Sequence, residues 1–198
     1  MRALLLTVSL TGCSLLPSPP TTPGQQWSEF HVHQTTRGFA TPHTRLSVER
    51  SVIYVGTYSV DRPYQFTATI RGFAQPALMH CSMVEGGYRC DVEGALLFHL
   101  NSACTEGHAM IDGKPWRIEA WYSEGTHVGY LLSRHARFLA AVDTDHTWRR
   151  RNLVDPSLTQ NARVEVELAA AALHDLLEVN EGRPFLCHPV MHRRRAFR

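Results

Sequence analysis

Tight-turn residues set between short runs of alternating apolar and polar residues constrain this chain more than any other feature. Asp112-Gly113 is a strong two-residue hairpin signal, because both residue types tolerate the positive φ such a turn demands. Behind it, Trp116, Ile118, Ala120 and Tyr122 recur at period two. Ser123-Glu124-Gly125 turns the chain again, into Val128, Tyr130 and Leu132. Upstream, Tyr64, Phe66, Ala68 and Ile70 alternate with Gln65, Thr67, Thr69 and Arg71, the pattern of a half-buried strand. Weaker runs near 47–60, 95–102, 107–111 and 137–142 bring the expectation to roughly six to eight strands. Connections this short cannot carry parallel crossovers, so the strands form an antiparallel meander.

Strand register also bears on the cysteines. Residues 77–83 and 88–92 read as strands joined through Glu85-Gly86-Gly87. If Glu85 and Gly86 form the loop, facing positions sum to 171, which puts Cys81 opposite Cys90. Such positions lie about 4.5–5.5 Å apart at Cα, within reach of a disulfide. With Cys13 set aside for the reason given below, Cys104 is left to pair with Cys187. No close C-x-x-C spacing supports zinc.

The pattern changes after Asp155-Pro156, a capping residue and a proline suited to a helix start. From about 162 to 179, Val164, Leu168, Ala171, Ala172, Leu176 and Val179 stand near helical spacing without internal Gly or Pro, and Gly182 and Pro184 end the run. The expected fold class is therefore mainly β (α+β): an antiparallel β-meander, or a small barrel or sandwich, with one C-terminal helix. An amphipathic helix there can cover an open sheet or plug a barrel end, and the spacing does not choose between them.

The N-terminal segment bears on location. Arg2 precedes an apolar run from Ala3 to Leu10, and Leu10-Thr11-Gly12-Cys13 follows. A charged start, an apolar stretch too brief to span a bilayer and small residues at its end make a secretory signal. The tetrad resembles the lipobox of bacterial prolipoproteins. That resemblance implies cleavage before Cys13, a diacylglyceryl thioether on its sulfur and an acylated amino group, and so a membrane anchor of several chains. Ser14, being no aspartate, resembles the pattern sent to the outer membrane of Gram-negative cells, with the domain facing the periplasm. The division is then a signal peptide at 1–12, a lipidated cysteine and Pro-rich tether at 13–26, and a single β-rich domain at 27–198. Pro17, Pro19, Pro20 and Pro23 stiffen the tether, which at about 3 Å per residue lifts the domain by up to roughly 40 Å. In that oxidising compartment the four remaining cysteines are expected as two disulfides.

Composition excludes more than it selects. A formal charge of +2 is too small to argue for nucleic acid, and Lys114 is the sole lysine among twenty basic residues. Two arginine clusters, Arg149, Arg150 and Arg151 behind Trp148, and Arg193, Arg194 and Arg195 near Phe197, are candidate contacts for lipid phosphates or an acidic partner. The twelve histidines include His31-x-His33, a spacing used in metal sites, and His188 with His192, but no third ligand is tied to either pair. No metal or other cofactor is expected. Asp143-x-Asp145-His146 holds the ingredients of acid–base work in what reads as a loop after the last strand. No nucleophile elbow, zinc-protease, phosphate-loop or dinucleotide motif is present, and no catalytic residue is assigned. Trp121 falls on the face opposite Trp116 and Ile118 and is a candidate binding aromatic. The leading reading is a non-catalytic, lipid-anchored envelope protein that binds or scaffolds a protein partner. A meander followed by a helix resembles the lipocalins in outline, which makes a carrier of small apolar ligands the first alternative. Gly24-Gln25-Gln26-Trp27 does not reproduce that family's G-x-W spacing. An envelope hydrolase with a dispersed site is the second.

Overall fold

A computed structural model describes residues 24–50, 65–72, 75–123, 125–143 and 151–180. Thirteen strands and one helix follow in chain order: β1 (Ser28–His31), β2 (His33–Thr35), β3 (Gly38–Ala40), β4 (Arg45–Arg50), β5 (Gln65–Arg71), β6 (Ala77–Val84), β7 (Gly87–Val92), β8 (Ala95–Asn101), β9 (Glu106–Ile111), β10 (Lys114–Ser123), β11 (Thr126–Arg134), β12 (Arg137–Asp143), β13 (Arg151–Val154) and α1 (Gln160–Asn180). The mainly β class with a C-terminal helix stands as expected, whereas the strand number does not. β1, β2, β3 and β13 are three or four residues long, too short for a period-two pattern to register.

Every pairing is antiparallel, and the strands form one sheet ordered β1-β13-β12 and so on down to β2. β1 and β2 stand at opposite ends of that order, yet only Val32 lies between them in the chain. One residue spans at most about 3.6 Å, so the two edges of the sheet meet there. The result is a nearly closed barrel whose inward residues, from Phe39, Ile70 and Met79 round to Ile118, Leu132 and Val142, belong to a single core.

The hairpin arithmetic holds. Val84 faces Gly87 and Cys81 faces Cys90 in register, and the two cysteines are bonded at 2.03 Å. A Cβ on Gly87 would fall 1.8 Å from the Leu100 carbonyl oxygen, so only glycine lets β8 approach there. Asp112 and Gly113 take φ of 53° and 66°, the left-handed pair that a type I′ turn requires. In β10 the alternation breaks: a register shift between Trp121 and Tyr122 leaves Tyr122 42% exposed, out of line with inward Trp116 and Ile118.

The helix departs most from expectation. Residues 166–176 are all buried, among them Glu167, His174 and Asp175. A helix lying on one face of a sheet keeps a solvent-facing stripe; this stretch has none. It touches β8 and β9, and also β12 and β13, strand pairs separated by β10 and β11. α1 therefore runs through the centre of the barrel. Ala169, Ala170, Ala171 and Ala172 keep it thin where Phe39, Tyr88, Phe98 and Tyr130 are also fully buried. Its cap is Thr159, whose Oγ1 accepts from the Ala162 amide at 3.2 Å. Asp155, the expected cap, instead closes its own turn, accepting from Ser157 N at 2.9 Å and Ser157 Oγ at 2.6 Å.

Candidate functional site

The buried polar groups inside the barrel hold the helix in place. Glu167 accepts from Thr41 Oγ1 at 2.6 Å and from His43 N at 3.2 Å, and its other oxygen lies 2.7 Å from His43 Nδ1. Glu165 accepts from the Asp112 amide. His174 Nε2 lies 3.3 Å from Asn152 Oδ1. Tyr130 donates to the Cys104 carbonyl at 3.0 Å. Burial pushes the Tyr88 phenol well above its usual pKa, with the Asp175 carboxylate and Tyr130 adding to the shift, so the ring stays neutral. The contacts of Glu165, Glu167 and His174 bind α1 to the surrounding wall at both halves of its length.

The outer face is different in kind. Register aligns Ser82, Arg89, His99, His108, Arg117 and Ser133 on consecutive strands from β6 to β11. Neighbouring strands lie about 4.8 Å apart, so the four basic residues form a row roughly 14 Å long. Each arginine in it leans on a carboxylate two residues along its own strand. Arg89 grips Asp91 through Nε and Nη2 at 2.9–3.0 Å, which raises the guanidinium pKa further. Arg117 Nη2 lies 2.7 Å from Glu119. His99 is pulled the other way: burial lowers its pKa, helped by His108 and Arg89.

At the Arg117 end the row opens into a cleft of about 660 Å³, with Pro115, Trp116 and Phe138 as its apolar part and His108, Arg117, Arg134 and His135 around it. Glu119 is the one carboxylate in the lining. Arg134 lines the cleft and forms no ion pair with any described residue. His135 and Ala136, which turn β11 into β12, have φ of 51° and 60°. Left-handed backbone costs a residue with a Cβ about 1–2 kcal/mol. A second cleft of about 470 Å³ opens beside the start of α1, between Ala77, Val92, Leu97 and Met110 on the wall and Val164 and Leu168 on the helix.

The residues singled out in the sequence are only partly brought together. Cys81 and Cys90 are joined; Cys104 is buried and also disulfide-bonded, and Cys187 lies outside the described residues. Trp121 is half-buried, and among the described residues the exposed large apolar side chains are Leu78, Val84 and Tyr122. Asp143 ends β12 and is buried, with β13 still to follow, so it is not in a loop after the last strand. Asp145 and His146 lie outside the described residues, as do Cys13, Arg149, Arg150, Arg193, Arg194, Arg195, His188 and His192. Arg151 opens β13 opposite His31. The His31 and His33 rings are 5.9 Å apart, with His31 Nε2 3.2 Å from Glu29. The basic row went unnoticed in the sequence, although Arg89, His99, His108 and Arg117 recur every nine or ten residues, the repeat of one strand and its turn. No family model, curated protein or solved structure matches this chain.

Proposed function

We propose that this protein is a lipid-anchored component of the bacterial envelope that binds or scaffolds a protein partner, without catalysis, on the outer face of its barrel. The observation that carries the reading is the placement of α1. With the interior occupied by helix, and its buried acids and imidazole engaged in holding that helix, the surface left for recognition is the outer one. There the basic row and the cleft at Arg134 suit an acidic patch on the partner, since opposite potentials steer and orient an encounter. The anchor is proposed on Cys13, from the Leu10-Thr11-Gly12-Cys13 tetrad and the apolar run before it; outer-membrane residence rests on Ser14. No helix among the described residues is long and apolar enough to cross a membrane; the attachment proposed here rests on the acyl chains of Cys13. The carrier alternative keeps one supporting observation, the mostly apolar cleft beside Val164 and Leu168.

Two measurements test the proposal. Cys13→Ala should move the protein from membrane to soluble fractions, and undiminished membrane retention would remove the anchor. A photo-crosslinker placed at Ala136, on the lip of the cleft, should give one discrete adduct in intact cells that Arg134→Glu abolishes. An adduct indifferent to charge reversal would take the basic face out of the reading.

A further inference from the structure

Register brings two imidazoles face to face on the outside of the barrel where spacing in the chain gives no hint of it. β8 and β9 pair His99 directly with His108. Both side chains project outward, because the flanking Phe98, Leu100 and Ala109 are fully buried on the inner side. The two rings stand 5.7 Å apart between centroids, tilted by 44°.

That distance is close to what a shared metal ion needs. An imidazole nitrogen binds zinc at about 2.0–2.1 Å, which places each ring centroid roughly 3.2 Å from the ion. Two rings at a tetrahedral angle then stand about 5.2 Å apart. Small side-chain rotations supply the difference of half an ångström, while the ladder on either side keeps both backbones fixed. The neighbouring guanidiniums oppose a cation less than their charge suggests, since Asp91 holds Arg89 and Glu119 holds Arg117.

We propose that His99 and His108 form an open, two-ligand site for a divalent transition metal on the outer wall of the barrel. Cu2+ should bind most tightly, ahead of Ni2+ and Zn2+, as nitrogen ligands dictate. Among the described residues no three His, Cys, Asp or Glu side chains converge on one point. The remaining coordination positions are thus filled by water, or by a side chain of a molecule docked on the same face. His31 and His33 stand at a similar ring distance of 5.9 Å across the seam where β1 ends and β2 begins, but there Glu29 already contacts His31. The site stands whether or not a protein partner binds this surface.

Calorimetric titration of the full-length protein with Cu2+ and Zn2+, with electron paramagnetic resonance of the Cu2+ form, tests the assignment. The spectrum of the unaltered protein at one equivalent should show coordination by two imidazole nitrogens. His99→Gln and His108→Gln should each weaken that site at least tenfold, whereas His31→Gln with His33→Gln should leave it within twofold. Fewer than two imidazole nitrogens in the unaltered protein, or unchanged affinity in either single variant, overturns the site. So does a loss confined to the His31 and His33 variant.

Discussion

Replacing Ala169, Ala170, Ala171 and Ala172 by leucine, one at a time, asks whether α1 is enclosed. All four are fully buried, and at about 100° per residue they point in directions spanning roughly 300° of the helix circumference. A helix laid against one side of a sheet leaves at least one of these directions in solvent, where a leucine changes stability by no more than about 0.5 kcal/mol. Inside the barrel no such direction exists. Each leucine must then force three extra carbons into a filled space, at about 1–3 kcal/mol. In a domain of this size, about 2–4 °C of Tm follows each kcal/mol, so every variant should melt roughly 2–12 °C below the parent. Far-UV circular dichroism during heating measures this directly. Alanine and leucine differ little in helix propensity, so the loss reports packing and not the helix itself. A single position that melts within about a degree of the parent would refute enclosure and put α1 on the outside.

Two further outcomes follow from the same contacts. Cys81→Ala with Cys90→Ala opens a loop of nine residues' separation and should cost about 2.5 kcal/mol by the chain-entropy relation. Guanidinium unfolding measures it, and an unshifted midpoint would mean the hairpin is equally restricted in the unfolded chain. Burial would raise the pKa of Asp155, but hydrogen bonds from the Ser157 side chain and amide, with the bond and charge of Arg137, hold it below the usual 3.8. A folded-state value under the unfolded one contributes stability that is complete above about pH 4 and is lost as pH falls through the folded value. Asp155→Asn should therefore flatten the acid limb of stability in urea titrations run from neutral pH downward, and an unchanged slope would speak against the contact.

What was legible in the chain was whatever short-range geometry decides. Turn chemistry at Glu85-Gly86 fixed which residues oppose which, and the Cys81–Cys90 bond follows from that alone. Asp112-Gly113 did the same for β9 and β10. Periodicity failed where a tertiary contact overrode it. The bulge after Trp121 sends Tyr122 outward although its spacing from Ala120 says inward. In α1, Glu167, His174 and Asp175 are buried despite their polarity, and Glu167 finds Thr41 and His43, and His174 finds Asn152, in distant parts of the chain. Polar residues mark a solvent face only when no partner waits for them inside, and no local pattern carries that information.

The outer face was hidden for a related reason. Alternation separates inward from outward positions but treats every outward charge alike, whereas the structure distinguishes them by their neighbours. Arg89 and Arg117 are satisfied by acids on their own strands, and removing either would release a carboxylate as much as it removes a cation. Arg134 has no such counterion among the described residues, and it sits at a cleft whose lip is held in left-handed backbone by His135 and Ala136. An unneutralised guanidinium beside an apolar recess gains more from an incoming anion than a paired one does, because no existing ion pair must be broken first. Among the outward arginines of this row and cleft, Arg134 is therefore where a bound anion would meet the least competition.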